Sequence, residues 1–151
     1  YLTMHPDSTK VRIVDELARI VRPGGRIGLH EVALKLGALE LDEAATDVER
    51  TRITAELTNR FKVAFTPRLT ADWITMLTDA GFEVADVHEA PLRLLEPERI
   101  IADEGVAGAA RFAYNVLSDP QARKRIKVMR AAMHRNRSFL TAFALTATRL
   151  G

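Results

Sequence analysis

The chain has 151 residues, 47% hydrophobic and 28% charged, with a formal net charge of +2. That length fits one domain, and that composition excludes a disordered chain and a broadly cationic nucleic-acid binder. No cysteine is present, which excludes disulfides, thiolate metal sites and a cysteine nucleophile, and no apolar run approaches the roughly 20 residues of a membrane span.

A basic stretch followed by an apolar core is missing from Tyr1-Leu2-Thr3-Met4-His5-Pro6, so no signal peptide is visible and a cytoplasmic setting is expected. The chain opens on Tyr1 instead of methionine, and a preceding segment is expected. Asp7 or Ser8 can cap a helix whose apolar stripe is Val11, Val14, Leu17, Ala18 and Val21. Arg22-Pro23-Gly24-Gly25-Arg26 stops it, because proline disfavours helix at Arg22 and the glycines accept positive φ. Ile27 to Leu34 follows as a strand. Leu39 to about Phe65 reads as a rather polar helix, with acids early and bases late to suit the helix dipole.

Thr70 is placed to cap a helix from Ala71 to Ala80, buried along Trp73, Ile74 and Leu77. Gly81 ends that helix in the left-handed conformation, and Phe82 to Val87 alternates as a strand. From Glu96 to Asn136 the pattern is helical again, with Pro97 and Pro120 in first-turn positions and Asp119 as the cap of the second helix. Phe139 to Leu150 closes as a strand uncharged on both faces, hence expected to be covered on both. The 151 residues form a single unit without repeats or linkers.

Three runs carry a resemblance. Lys10 to Arg26, with Glu16-x-x-Arg19, an apolar pair, a base and Pro23-Gly24-Gly25, resembles the helix-turn-strand after the fourth strand of class I S-adenosylmethionine-dependent methyltransferases. Leu69-Thr70-Ala71-Asp72-Trp73 to Ala80-Gly81-Phe82-Glu83-Val84 resembles that family's next helix and its entry into the sixth strand, and Phe139 to Leu150 resembles the seventh. The resemblance implies an α/β fold: the last strands of a Rossmann-like methyltransferase sheet, with residues 88–138 as a helical insertion. It implies S-adenosylmethionine as cofactor and methyl transfer to a small-molecule substrate.

The family holds its cofactor with a glycine-rich loop after the first strand. Here Gly25-Arg26-Ile27-Gly28 and Gly105-Val106-Ala107-Gly108 are the nearest approaches, and neither is such a loop. The expectation is therefore a C-terminal portion, inactive alone. Three strands are expected, the last between the other two, leaving Ile27–Leu34 with an open edge. A missing N-terminal half or a homo-oligomer would cover that edge.

Ligands of open α/β sheets sit beyond the carboxyl ends of the strands. That puts Thr3, Met4 and His5 near the cofactor and His30 near the substrate, although a capping or surface role competes for His5. His30 and Glu31 are adjacent on a strand and point to opposite faces, so they cannot act as one pair. Phe112 and Tyr114, in the helical region, are candidates for a substrate roof, against the alternative of packing a subdomain. His88-Glu89 lacks metal-site spacing, so no metal is expected. Arg123 to Arg130 reads as a helix with a solvated basic face, and nucleic acid is not the expected partner. Two other classes stay open: a non-catalytic interaction or ligand-binding module, and the C-terminal half of a nucleotide-dependent reductase.

Overall fold

The computed structural model describes residues 1–35, 43–93 and 97–151. A 3-10 turn, Leu2–Met4, precedes α1 (Asp7–Ile20), β1 (Arg26–Leu34), α2 (Glu43–Phe61), β2 (Arg68–Leu69) and α3 (Thr70–Asp79). Then come β3 (Phe82–Pro91), α4 (Pro97–Ser118), α5 (Pro120–Arg135) and β4 (Leu140–Arg149). The fold is α/β around one mixed sheet, in the order β2-β1-β4-β3. β4 runs antiparallel between β1 and β3, the position that the resemblance implies for the last strand.

Four strands stand where three were expected. β2 pairs in parallel with the end of β1, Ala33 opposite Arg68 and Leu34 opposite Leu69. Two residues carry no alternation, so no period announced this strand. It covers only the last two positions of the β1 edge, and no strand among the described residues pairs with that edge from Arg26 to Val32.

The turn chemistry follows the sequence. Gly24 adopts φ 74° between α1 and β1, and Gly81 φ 85° between α3 and β3, both in the left-handed region that glycine accepts. A Cβ on Gly25 would lie 2.7 Å from Val21 Cγ1 and 2.8 Å from the Arg22 carbonyl oxygen. Arg149, at the end of β4, clasps both turns. Its carbonyl accepts from Gly24 N–H and its own N–H donates to the Gly25 carbonyl, each at 2.8 Å. Its guanidinium donates to the carbonyls of Ala18 (3.0 Å) and Gly81 (2.8 Å).

Three helix starts were expected to be capped by side chains, and one is. Asp119 Oδ1 accepts from the N–H groups of Gln121 (2.8 Å) and Ala122 (3.2 Å). Asp7 and Thr70 instead lie inside α1 and α3 as their first residues. Asp7 pairs with Lys10 at 2.8 Å, and the Thr70 hydroxyl donates to Glu89 at 2.5 Å. Asp72 takes over at α3, accepting from Leu69 N–H at 3.2 Å.

Two cores flank the sheet. On one face Val14 of α1 and Trp73, Met76 and Leu77 of α3 pack on Ala33, Phe82, Phe143, Leu145 and Ala147. The buried residues of α1 are Lys10 and Val14, with Leu17 partly buried beside them, and Val11, expected on that stripe, is exposed. Lys10 lies one turn before Val14, so its stem follows the apolar face. Its ammonium donates to Asp7 and to the carbonyl and hydroxyl of Thr66. Burial lowers the Lys10 pKa, opposed by the Asp7 carboxylate. Over the other face, Ile53, Leu57 and Phe61 of α2 and Ala132 and Met133 of α5 cover Leu34 and Leu140. They reach only the upper end of β4, so Ala144 is exposed. The strand expected to be covered on both faces is covered on one.

β3 is longer than its alternation announced, reaching Pro91 instead of Val87. A register shift between Ala85 and His88 lets it continue, with Asp86 at φ 49°. Aspartate tolerates that left-handed geometry better than most residues, and the Thr146 hydroxyl holds its carboxylate at 3.1 Å. The start of the polar helix expected from Leu39 lies outside the described residues; its described part ends at Phe61. Within α4, Gly105 breaks the helical geometry with φ 70° and ψ 173°.

Candidate functional site

β1 and β3 run in the same direction, and their carboxyl ends, Val32–Leu34 and Ala90–Pro91, finish at one rim of the sheet. A cavity of about 560 Å³ opens there. Tyr1, Thr3 and Met4 form one wall, and His30, Glu31, Val32 and Ala142 the floor. Ala90 to Arg93 and Phe65 close the sides, and Arg99 and Asp103 reach in from α4. Arg99 and Asp103 are themselves ion-paired at 2.8 Å, one helical turn apart. A larger cavity of about 740 Å³ adjoins along Pro91, Leu92 and Arg93. The smaller one is the candidate site because it lies at the strand ends and joins both sequence-predicted segments.

Glu31 fixes this wall. Its side chain points from β1 to the first residues and accepts from Leu2 N–H at 2.6 Å and the Thr3 hydroxyl at 2.8 Å. The Tyr1 nitrogen lies at 2.7 Å and Thr3 N–H at 3.3 Å. Burial by itself would raise the Glu31 pKa; the hydrogen bonds from Tyr1, Leu2 and Thr3 overcome it and hold the carboxyl below its ordinary value. A buried carboxylate thus satisfies the free N–H groups of a short turn, as a cap would, but from 28 or more residues away.

Thr3 and Met4 border the cavity, Thr3 with its hydroxyl engaged by Glu31 and by the Val32 carbonyl, and Met4 40% exposed. His5 does not border it: its ring meets Tyr1 edge-on at 4.6 Å, and its Nε2 is buried without a hydrogen-bond partner. His30 is exposed and lines the cavity. The structure therefore brings Thr3, Met4 and His30 together. Phe112 and Tyr114 lie on the second half of α4 and do not line the cavity, and Tyr114 is 71% exposed. The part of α4 that reaches the cavity precedes Gly105. Among the described residues, no group of three His, Asp or Glu side chains could hold a metal ion.

Sequence reasoning did not find Arg93, Arg99 and Asp103 as lining residues, nor the anchoring by Glu31. The four-residue spacing of Arg99 and Asp103 was a visible signal of a helical ion pair. An acid within a strand, on the same face as Ile27, Leu29 and Ala33, was the visible signal at Glu31.

No family model matches the chain. A Haemophilus influenzae protein without an assigned function is 25% identical over 116 residues, which are 77% of this chain and 42% of that one. Among solved structures, the MccD protein matches with a TM-score of 0.61 at 9% identity, over 98% of this chain and 56% of its own. A protein assigned as a sarcosine dimethylglycine methyltransferase from Galdieria sulphuraria gives 0.58 at 13% identity, over 97% and 49%. Phosphoethanolamine N-methyltransferase 2 of Haemonchus contortus, solved with phosphomonomethylethanolamine and S-adenosylhomocysteine, gives 0.58 at 11%, over 99% and 32%. The chain thus spans about half or less of the length of the proteins it matches. At such identities the likeness is one of fold: this chain has the α/β fold of class I methyltransferases. No helix among the described residues is long and apolar enough to cross a membrane.

Proposed function

We propose that this chain forms the acceptor-facing part of an S-adenosylmethionine-dependent methyltransferase acting on a small molecule. The observation that carries the reading is the cavity at the carboxyl ends of β1 and β3, walled by Tyr1–Met4 and floored by His30–Val32. When bound, S-adenosylmethionine supplies an electrophilic methyl group. Thr3 and Met4 fit one wall of its site: Glu31 fixes the backbone of Leu2 and Thr3, and Met4 offers an apolar, partly exposed side chain. His5, whose buried Nε2 lacks a partner, stands beside that wall. The glycine-rich loop that completes such a site is not found in these 151 residues, so residues 1–151 by themselves are proposed to be inactive.

On the acceptor side His30 presents an exposed imidazole, suited to take a proton from a nucleophile as it attacks. Val32, Phe65, Pro91 and Leu92 give the cavity beside it an apolar lining. Phe112 and Tyr114, beyond the Gly105 break, can contribute only to an outer roof. A cytoplasmic location belongs to the same proposal.

Calorimetry with S-adenosylhomocysteine tests it. The polypeptide expressed from its own reading frame, with whatever flanks positions 1–151, should bind about one equivalent, while residues 1–151 alone should give no saturable heat. No binding by the flanked polypeptide overturns the methyltransferase reading. Binding by residues 1–151 alone would mean that this wall suffices. In the active polypeptide His30→Ala should lower kcat about 100-fold if the imidazole acts as base. A rise in KM alone would reduce His30 to a lining residue.

The edge of β1 carries a second element of the proposal. From Arg26 to Val32 it has no partner strand among the described residues, and such an edge pairs readily. A preceding segment or a second copy is proposed to cover it. Sedimentation of residues 1–151 should therefore show a dimer or larger assembly at micromolar concentration. A monomer whose Arg26–Val32 amides exchange freely with solvent would exclude self-pairing, and the same amides unprotected in the flanked polypeptide would exclude the proposal altogether.

A further inference from the structure

The larger cavity lies between the end of β3 and the last turn of α5, and its chemistry is one-sided. Among the described residues, its lining includes Arg93, Arg130, His134, Arg137 and Ser138, and no carboxylate. Arg130, His134 and Arg137 are four and three residues apart, so they share one side of α5 and the turn that follows it. Arg93 faces them from a different element, just after β3.

Several arginines of the fold are neutralised by carboxylates. Arg135 turns to α2 and meets Glu56 at 2.7 Å, and Arg52 shares the same carboxylate at 3.5 Å. Arg19 pairs with Glu16 and Arg99 with Asp103. Among the described residues, neither Arg93, Arg130 nor Arg137 lies within 4 Å of a carboxylate. Among the described residues, the Arg137 guanidinium has a polar contact only with the imidazole of His134, at 3.4 Å. The carbonyl end of a helix favours cations in its last turn, which accounts for His134 and Arg135. It does not account for Arg93, which comes from the opposite wall. Guanidinium groups gathered around a concave space without a counter-charge match the fork geometry of a phosphate or carboxylate.

We infer that this cavity is an oxyanion subsite that takes the phosphate or carboxylate group of a small molecule. Resting on the methyltransferase reading, the inference names the class of its acceptor: an anionic one, held by its charged end. The two cavities share Pro91, Leu92 and Arg93, so a molecule anchored at Arg130 and Arg137 can extend past Arg93 toward His30. Anchoring a remote charged group aligns the reacting end. The exposed basic ridge of α5, Arg123, Lys124 and Lys127, borders a separate depression, so a small oxyanion and an extended polyanion would mark different residues.

The test is amide-shift mapping by nuclear magnetic resonance on the isotopically labelled chain, without cofactor. Inorganic phosphate, phenyl phosphate and benzoate are titrated in turn, with ionic strength held constant by sodium chloride. Saturable shifts are expected at Leu92, Arg93, Ala131 and Ser138, and the stronger of phenyl phosphate and benzoate identifies the charged group. Arg130→Gln with Arg137→Gln should weaken binding at least about tenfold, as loss of charge-assisted hydrogen bonds requires. Arg123→Gln with Lys127→Gln should leave it unchanged. Shifts that do not saturate, or that survive the Arg130/Arg137 substitutions, overturn the inference. So does a short oligonucleotide that binds more tightly than phenyl phosphate and shifts Arg123 to Lys127. Because no cofactor is present, failure here leaves the calorimetric test of methyl transfer untouched, and the converse holds.

Discussion

Trp73→Ala is expected to lower the stability of the chain by about 3–5 kcal/mol, enough to unfold much of it where total stability is only about 5–15 kcal/mol. Trp73 is fully buried and is the largest side chain in the core between α1, α3 and the sheet. It lies 6.1 Å from the Phe143 ring, between centroids, and under the Lys10 ammonium at 5.7 Å. Removing the indole leaves a cavity and takes away the polarizable face beside a buried cation. Trp73→Phe separates the two effects. The indole Nε1 has no hydrogen-bond partner, so phenylalanine gives up no hydrogen bond and removes an unpaired polar group. Its cost should stay near 1–2 kcal/mol, set by lost volume. Denaturant melts of both variants check the ordering; equal losses would mean that the ring's volume is not what matters at this position.

Glu31→Gln is expected to cost about 2–3 kcal/mol and to free the first residues from β1. Glutamine is nearly the same shape, but its amide offers one accepting oxygen where the carboxylate offers two. The carboxylate takes bonds from Tyr1, Leu2 and Thr3. The linkage has a definite sign. The Glu31 pKa is held below its ordinary value in the folded chain, so its stabilisation is fully present above the unfolded carboxylate range. It fades as pH falls through that range to the lower folded value. The wild type should therefore lose stability steeply in acid, and Glu31→Gln should lose less there. Urea melts from neutral to acid pH measure the difference, and parallel curves would place the acid sensitivity elsewhere. Thr3 and Met4 should also lose amide protection in the variant at neutral pH.

Features that depend on a few neighbouring residues were legible in the sequence. The Pro23-Gly24-Gly25 stop, the left-handed Gly81 and the Asp119 cap are local chemistry, and each stands as read. The central place of the last strand was legible through the resemblance alone, since nothing in Leu140–Arg149 states its neighbours. β2 was not legible because two residues have no period. Lys10 was not, because its burial depends on Thr66, 56 residues away. At the candidate site, the segments Thr3–Met4 and His30 were named, but their meeting depends on a carboxylate that reaches across the sheet rim. Arg93 and Arg137 share a cavity only because β3 runs on past its bulge to Pro91.

The position of β4 has a consequence for how the molecule is made. The strand synthesised last among those described is the one that joins β1 to β3, and Arg149 fastens the turns before both. On the ribosome, β1 has only a two-residue partner among the described strands until residues 140–149 have emerged. The sheet therefore closes in one late event over long sequence separations, which slows folding and prolongs the time during which unpaired edges are open to other chains.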